Sequence, residues 1–356
     1  MRGGAKAIGK DLGVRYVLEG SVQPSSAAVR VNARLIDAES GAELWAEQFD
    51  TPRVDLLQTQ DEIVTRLARA MDVQLPEAEA ARLKRTPAAN PDAEDLALQC
   101  QAGVQTGGWA GKEADAGYRL CERALAADPN NARALTWLSA KFLFSVLWGL
   151  SADTKADLAR ADDLSSRAVV LDPNYGGAHS LKAAVLSVQG RLGESIAESE
   201  RALALDPVTV IAVIFLAQDY LLLGQFEKSL DFLDKAIRLS PHDPDVYVWH
   251  QLKAADYFGL EQYDQAIESA RRAIASNPGI SPWPHFHLIA ALAMGGHAAE
   301  AREALQSYLA SVPTGPKTIA AWKAAAAPLA AAGTPRYVET LDRHYEGLRK
   351  AGMPEE

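Results

Sequence analysis

The sequence predicts a mainly α-helical chain: an α-solenoid of stacked antiparallel helix pairs, preceded by a small, incomplete α/β module with an antiparallel sheet. Three observations carry that prediction. Prolines that close apolar helical runs recur as Pro129, Pro173, Pro207, Pro241, Pro278 and Pro313, with two successive spacings of 34 residues. Small residues keep phase with them: Gly117, Ala161, Ser195, Ser229, Ala266 and Ala301 stand twelve residues before each, and Ala124, Ala168, Ala202, Ala236 and Ala273 stand five before, with Tyr308 in the sixth copy. Between residues 28 and 37, by contrast, Val29, Val31, Ala33 and Leu35 alternate with Arg30, Asn32 and Arg34, the period of a half-buried strand.

Each helical element has a physical reason. Two helix backbones approach closely only where no bulky side chain intervenes, which the small residues provide. Gly190, Gly224 and Gly296, seventeen residues before a closing proline, permit the positive φ that ends a first helix. The proline disfavours helical geometry in the residue before it and so stops the second helix. With its period of 34, this pattern resembles the tetratricopeptide repeat over residues 93–313. The second copy departs from it by about ten extra residues near Ser151–Asp163, and Tyr308 suits a degenerate end repeat. The tryptophan expected early in the first helix is missing from most copies.

Ahead of the repeats, residues 4–12 read as a short helix with Ala5, Ile8 and Leu12 on one side. Strands are expected at Val14–Glu19, Ala28–Asp37 and Ala42–Phe49, with turns at Gln23–Ser26 and Glu39–Gly41. An amphipathic helix is expected at Asp55–Val73. The runs LGVRYVLEGSV (Leu12–Val22), VRVNARLIDAESGAELWAEQFD (Val29–Asp50) and LLQTQDEIVTRLARAM (Leu56–Met71) resemble the TolB-like amino-terminal module. That module precedes tetratricopeptide arrays in bacterial signalling proteins, including class III adenylate or guanylate cyclases and winged-helix regulators. The match begins partway through the module, so the resemblance implies a partial one. The organisation expected is a module over 1–78, a linker over 79–92, and an array over 93–350 whose last helix, with Tyr337, Leu341, Tyr345 and Leu348 at helical spacing, caps the stack.

Composition narrows the function classes. The net charge is −10, and nearly all of the acidic excess lies beyond residue 87. An acidic surface repels phosphate, which disfavours nucleic acid as a partner. No apolar run reaches membrane-spanning length, and the first ten residues lack the apolar core of a secretion signal, so the expected location is the cytoplasm. Cys100 and Cys121 fall on the two helices of the first pair: proximity allows a disulfide, while the readiness of free cysteine to pack as a small apolar group favours two buried thiols.

Catalytic and cofactor signals are missing from the sequence. It holds no Gly-rich phosphate loop, no G-x-S-x-G and no H-E-x-x-H, and no cofactor is expected. His285 and His287 are two apart, a spacing that shares a face on a strand but not on a helix, with no companion ligands nearby. Groove lining or solvent exposure is the expected role.

A recognition surface remains. First helices of stacked pairs line a concave groove. The candidates there are Ile214, Gln218 and Leu221 in the fourth copy, His250, Gln251 and Phe258 in the fifth, and Trp283, Phe286 and Met294 in the sixth. His250 reads equally as an incidental half-buried residue, and Trp283 and Phe286 either hold a peptide or pack between neighbouring pairs. The set is apolar, so the expected partner is an extended or helical peptide of another protein. The function expected is a non-enzymatic interaction scaffold, the regulatory or sensory part of a bacterial signalling protein. The alternatives are part of a class III cyclase or of a winged-helix regulator whose other domain lies upstream.

Overall fold

The computed structural model describes residues 4–24, 28–52, 64, 78, 92–107, 109, 112–147, 150–207, 209–239, 246–276, 281–313 and 315–356. The helix expected at 55–73 and most of the 79–92 linker lie outside these, as do Pro241 and Pro278. The chain divides into two compact units, Met1–Pro173 and Asn174–Glu356.

The first unit opens with helix α1 (Ala5–Leu12) and three strands, β1 (Tyr16–Pro24), β2 (Ala28–Asp37) and β3 (Glu43–Pro52), in one antiparallel sheet of order β1-β2-β3. β2 has the expected bounds, and its alternation is real: Val29, Ala33 and Leu35 are buried while Arg30 and Arg34 are exposed. Opposite charges face each other across the strands, Arg34 with Glu19 at 2.7 Å and Arg30 with Asp50 at 2.6 Å, contacts worth about 0.2–1 kcal/mol each. β1 starts later and ends later than expected, because it pairs with β2 along its whole length, from Tyr16 opposite Asp37 to Pro24 opposite Val29. α1 packs Ala5 and Ile8 on Val17, Ile36 and Ala38. Leu12 does not join them: it is 70 % exposed, since the chain leaves the helix at Gly13 in a left-handed turn.

Two helix pairs follow in this unit, α2 (Ala93–Gly107) with α3 (Lys112–Ala127) and α4 (Ala132–Leu147) with α5 (Thr154–Leu171). In the second unit come α6 (Gly176–Val188) with α7 (Leu192–Leu205), α8 (Val210–Leu222) with α9 (Phe226–Leu239), α10 (Val246–Gly259) with α11 (Tyr263–Ser276), and α12 (Trp283–Met294) with α13 (Ala298–Ser311). The chain closes with α14 (Ile319–Ala332) and α15 (Pro335–Ala351). No helix among the described residues is long and apolar enough to cross a membrane.

The small positions mark the crossings within each pair. Ala161, Ser195, Ser229, Ala266 and Ala301 are fully buried, as are Ala124, Ala168, Ala202, Ala273 and Tyr308. Gly190, Gly224 and Gly296 adopt positive φ of 74°, 70° and 88°, and in the fifth copy Glu261 takes the same conformation at 60°. All four turns repeat one hydrogen bond, from the amide after this residue to the carbonyl five residues earlier: Arg191 to Leu186, Gln225 to Tyr220, Gln262 to Tyr257 and His297 to Leu292. The left-handed turn is therefore required by the pair geometry, and a side chain at Glu261 is tolerated at a cost of about 1 kcal/mol. The extra residues of the second copy lengthen both helices, to 16 and 18 residues against 13 and 14 in the third.

One expectation is corrected. Cys100 and Cys121 are joined as a disulfide, with Cα atoms 5.4 Å apart. The reason is the closeness of the α2–α3 crossing: a Cβ on Gly117 would lie 3.2 Å from the Cys100 carbonyl oxygen, and one on Gly103 would lie 3.3 Å from the Gly117 Cα. The last helix packs mainly on α12 and also touches α13, the last pair of the array, and it reaches back over the ends of α8 and α10.

Reducing the Cys100–Cys121 bond reopens a loop of sequence separation 21 and should destabilise this pair by about 3 kcal/mol. Thermal melts with and without reductant check this; a Cys100→Ala/Cys121→Ala chain should melt with the reduced protein and be indifferent to reductant.

Candidate functional site

In the second unit the first helices α8, α10 and α12 lie side by side, and α14 and α15 are laid across them. α15 is amphipathic, as its sequence predicts: Tyr337, Leu341, Tyr345 and Leu348 are buried, and Glu339, Asp342 and Glu346 are exposed. The buried stripe joins one continuous core with Leu221, Phe258, Phe286, Trp249 and Trp322.

Polar contacts set the position of α15 along the array. Its N-terminus is fixed where the Thr334 amide donates to the Leu222 carbonyl at 2.9 Å. Arg336 donates to the Gly224 carbonyl at 2.7 Å and lies over the Phe226 ring. Arg343 donates to the Gly259 carbonyl at 3.0 Å and to the Glu261 carboxylate at 2.8 Å. Lys350 reaches the Met294 sulfur at 3.4 Å. Arg336 and Arg343 thus meet carbonyls at the C-terminal ends of α8 and α10, where the helix dipole favours positive charge. Lys350, beside the end of α12, also pairs with Glu346 of its own helix at 2.8 Å.

Deeper in the interface, His344 of α15 is stacked between Phe258, with ring centroids 3.6 Å apart, and Phe286, at 4.8 Å. Its Nδ1 lies 2.8 Å from the Thr340 carbonyl, which can only accept, so Nδ1 carries the proton. Its Nε2 is then an acceptor, and His287 Nδ1 donates to it at 2.9 Å. Both rings are held neutral by burial: His287 is pushed down to about 3, and His344 well below its ordinary value, with His287 beside it adding to the effect. Two buried carboxyls on the same first helices shift the other way. Asp219 accepts from Ser187 at 2.6 Å and is raised to about 6 by burial. Asp256 accepts from Ser229 at 2.7 Å and is raised well above its ordinary value, again by burial.

The nine sequence candidates divide. Phe258 and Phe286 are fully buried and Leu221 nearly so; they belong to the core beneath α15 rather than to an open groove. Trp283 meets Trp322 of α14 edge-on at 5.3 Å, and Met294 meets Lys350. Ile214 is half-buried against the same core. Gln218 donates to Ser187, and Gln251 accepts from Ser281 at 3.2 Å. His250 is half-buried, with its pKa lowered by burial. His285 and His287 are buried, not lining a groove or exposed, because α12 is enclosed by α13 and α15. Among the described residues no group of three or more His, Cys, Asp or Glu could hold a metal ion. Sequence reasoning passed over Arg336, Arg343, His344 and Lys350. A signal was present: 336, 343 and 350 are seven apart, so cations recur on one side of a helix whose apolar stripe was already evident.

A separate cleft of about 620 Å³ lies in the first unit between α3, α4 and α5, where Lys141 and Arg160 flank the Phe142 ring and Lys141 pairs with Glu122 at 2.9 Å.

Residues 180–244 and 252–316 match the tetratricopeptide repeat family. A putative adenylate cyclase 3 of Rhizobium meliloti (strain 1021) is 33% identical over 191 residues, 53% of this chain and 32% of that protein. The chain therefore matches about a third of the length of this curated relative. Among solved structures, a human IFIT1 dimer with m7Gppp-AAAA aligns with a TM-score of 0.54 at 17% identity, covering 82% of this chain and 67% of that one. The Cut9–Hcn1 hetero-tetramer of the APC/C aligns at 0.53 and 16% identity, covering 78% and 52%. At such identities the likeness is one of fold alone.

Two predictions follow from the interface. Phe286→Ala removes a fully buried ring and should cost about 3–5 kcal/mol in urea denaturation, against less than about 1 kcal/mol for a substitution at exposed Glu339. For pH, the unfolded chain binds more protons than the folded one between about 6.5, where histidine titrates when unfolded, and about 3, where His287 titrates when folded. The histidine contribution is therefore lost as pH falls through that window. Asp219 has the opposite sign: its contribution is lost as pH rises from about 4, the unfolded value, to about 6. Removing the histidines as His287→Phe/His344→Phe should flatten the loss of stability between pH 6.5 and 5, by up to about 1.4 kcal/mol per pH unit for each ring. An unchanged slope would place the rings in contact with solvent.

Proposed function

Because the chain is a tetratricopeptide-repeat protein related to a putative adenylate cyclase, we propose that it is an interaction scaffold, the non-catalytic regulatory or sensory part of a bacterial signalling protein, and that it holds a protein partner on the face of its first helices. One observation carries the reading: that face binds an amphipathic helix, α15, through aromatic and aliphatic contacts on one side and cations at helix ends on the other. This is the helix-in-groove mode of recognition. The TolB-like resemblance of residues 12–71 and the cyclase-named relative both point to signalling.

A second reading is favoured by that same relative: the chain as a component of a class III cyclase. The two differ in what is encoded upstream: a cyclase catalytic domain in the same reading frame ahead of residue 1 supports the cyclase component, and a stop codon directly upstream supports the scaffold. For the partner, chemical cross-linking in cells joins the chain to a defined protein that co-elutes with it after purification; failure of any protein to co-elute overturns the partner.

For location, the sequence points to the cytoplasm, while the Cys100–Cys121 bond points to an oxidising compartment, where such bonds persist. Thiol titration of protein taken rapidly from cells decides: two free thiols place it in the cytoplasm, none in an oxidising compartment.

A further inference from the structure

α15 reads as a ligand of the array as much as a part of it. Its cations are spaced at seven residues, about 10.5 Å along a helix, close to the separation of neighbouring packed helices, about 8–10 Å. One cation therefore falls at each first helix in turn: Arg336 at the end of α8, Arg343 at the end of α10, Lys350 at the end of α12. Successive positions in such a repeat drift by only about 20° around the helix, so the three share a side. Arg336 and Arg343 bond to main-chain carbonyls, and the array offers those to any helix that brings cations in this register. α15 packs chiefly along α12, with smaller contacts to α10, α13 and α14, its neighbour in sequence. The fit also has slack in polar matching: the second Asp256 oxygen and Arg343 Nε are buried without a hydrogen-bond partner.

We propose that the face of α8, α10 and α12 is a receptor for one amphipathic helix that presents a cation every seventh residue beside an aromatic and aliphatic stripe, and that α15 fills it in cis. This deepens the scaffold reading and rests on it. A partner protein enters by offering a helix of the same pattern, with a donor placed for Asp256, and displaces α15. The array then has a closed state, with its own helix seated, and an open state, with the partner's.

Gly347 supplies the lever for a test. A Cβ there would lie 2.8 Å from both the Ala290 Cα and its carbonyl oxygen, backbone that cannot yield. Gly347→Leu should lift α15 from α12 without changing a residue of the receptor face. The probe is a fluorescein-labelled peptide of residues 334–353, titrated by anisotropy into the full chain. The Gly347→Leu chain should bind it at least about tenfold more tightly than wild type, whose face is occupied, and a peptide with Arg336, Arg343 and Lys350 replaced by Ala should bind the variant at least about tenfold more weakly.

Equal affinity of wild type and variant, or no binding by a variant that keeps its helical circular dichroism, overturns the proposal. If Gly347→Leu loses that signal, Arg336→Ala/Arg343→Ala replaces it under the same criteria. If the variant pairs with a second copy, dissociation of the dimer by excess peptide supports the proposal, and a dimer that ignores the peptide overturns it. No outside partner enters this experiment, so it can fail while the scaffold reading stands, and the search for a co-eluting protein can fail while this binding is observed.

Discussion

The close crossing of two helices at small side chains is the constraint on which the other features depend. With Gly117, Ala161, Ser195, Ser229, Ala266 or Ala301 at the point of contact, the second helix of each pair lies near enough to bury its apolar stripe against the first. The turn between them must then be short and reverse sharply, which places one residue in the left-handed region. Three copies use glycine there, and Glu261 shows that the geometry, rather than the residue, is what the pair demands. The same closeness brings Cys100 and Cys121 within bonding reach. It also sets the spacing of the first helices, and so the register in which any helix laid across them can contact each one.

The face of the first helices is not purely apolar. Asp219, Asp256, His287 and His344 are buried, each with at least one hydrogen bond, and burial holds each toward its neutral form. Such groups add little to stability compared with apolar residues of equal size, but an unmatched one is costly, so they restrict which arrangements of neighbours are acceptable. The chain from His287 through His344 to the Thr340 carbonyl has only one consistent placement of its protons in the neutral state, which pins α15 both in rotation and along its axis. The acids and the histidines respond to pH in opposite senses, so the contribution of Asp219 opposes that of the histidines between about pH 4 and 6.

The recognition proposed for this face rests on the regularity of the array. Stacked pairs present equivalent helix ends at equal intervals, and a helix with an equally regular set of cations meets them one by one. The apolar surface beneath supplies the affinity, and the carbonyl-bound cations supply the register. The paired-helix frame is shared with IFIT1 and with Cut9–Hcn1.

The helix pairs, their crossings and their turns were legible in the sequence because each depends on neighbours within one repeat: a small residue, a glycine and a proline at set distances act over a few turns of helix. The middle strand was legible to the residue for the same reason, its alternation being local. The ends of β1 were not, since they depend on how far β2 extends beside it. Nor was the fate of the aromatic residues: Phe258 and Phe286 have the character of a groove lining, and whether they meet a partner or their own chain depends on where α15 (Pro335–Ala351) lies, far along the chain. The disulfide belongs with these, because the sequence brings the two cysteines to facing helices and only the depth of the crossing brings the sulfurs together. By itself the sequence determined the repeating frame, through short-range sterics. The tertiary structure decided what covers that frame, because the contacts of α15 gain their energy from surfaces that exist only once three successive pairs have stacked.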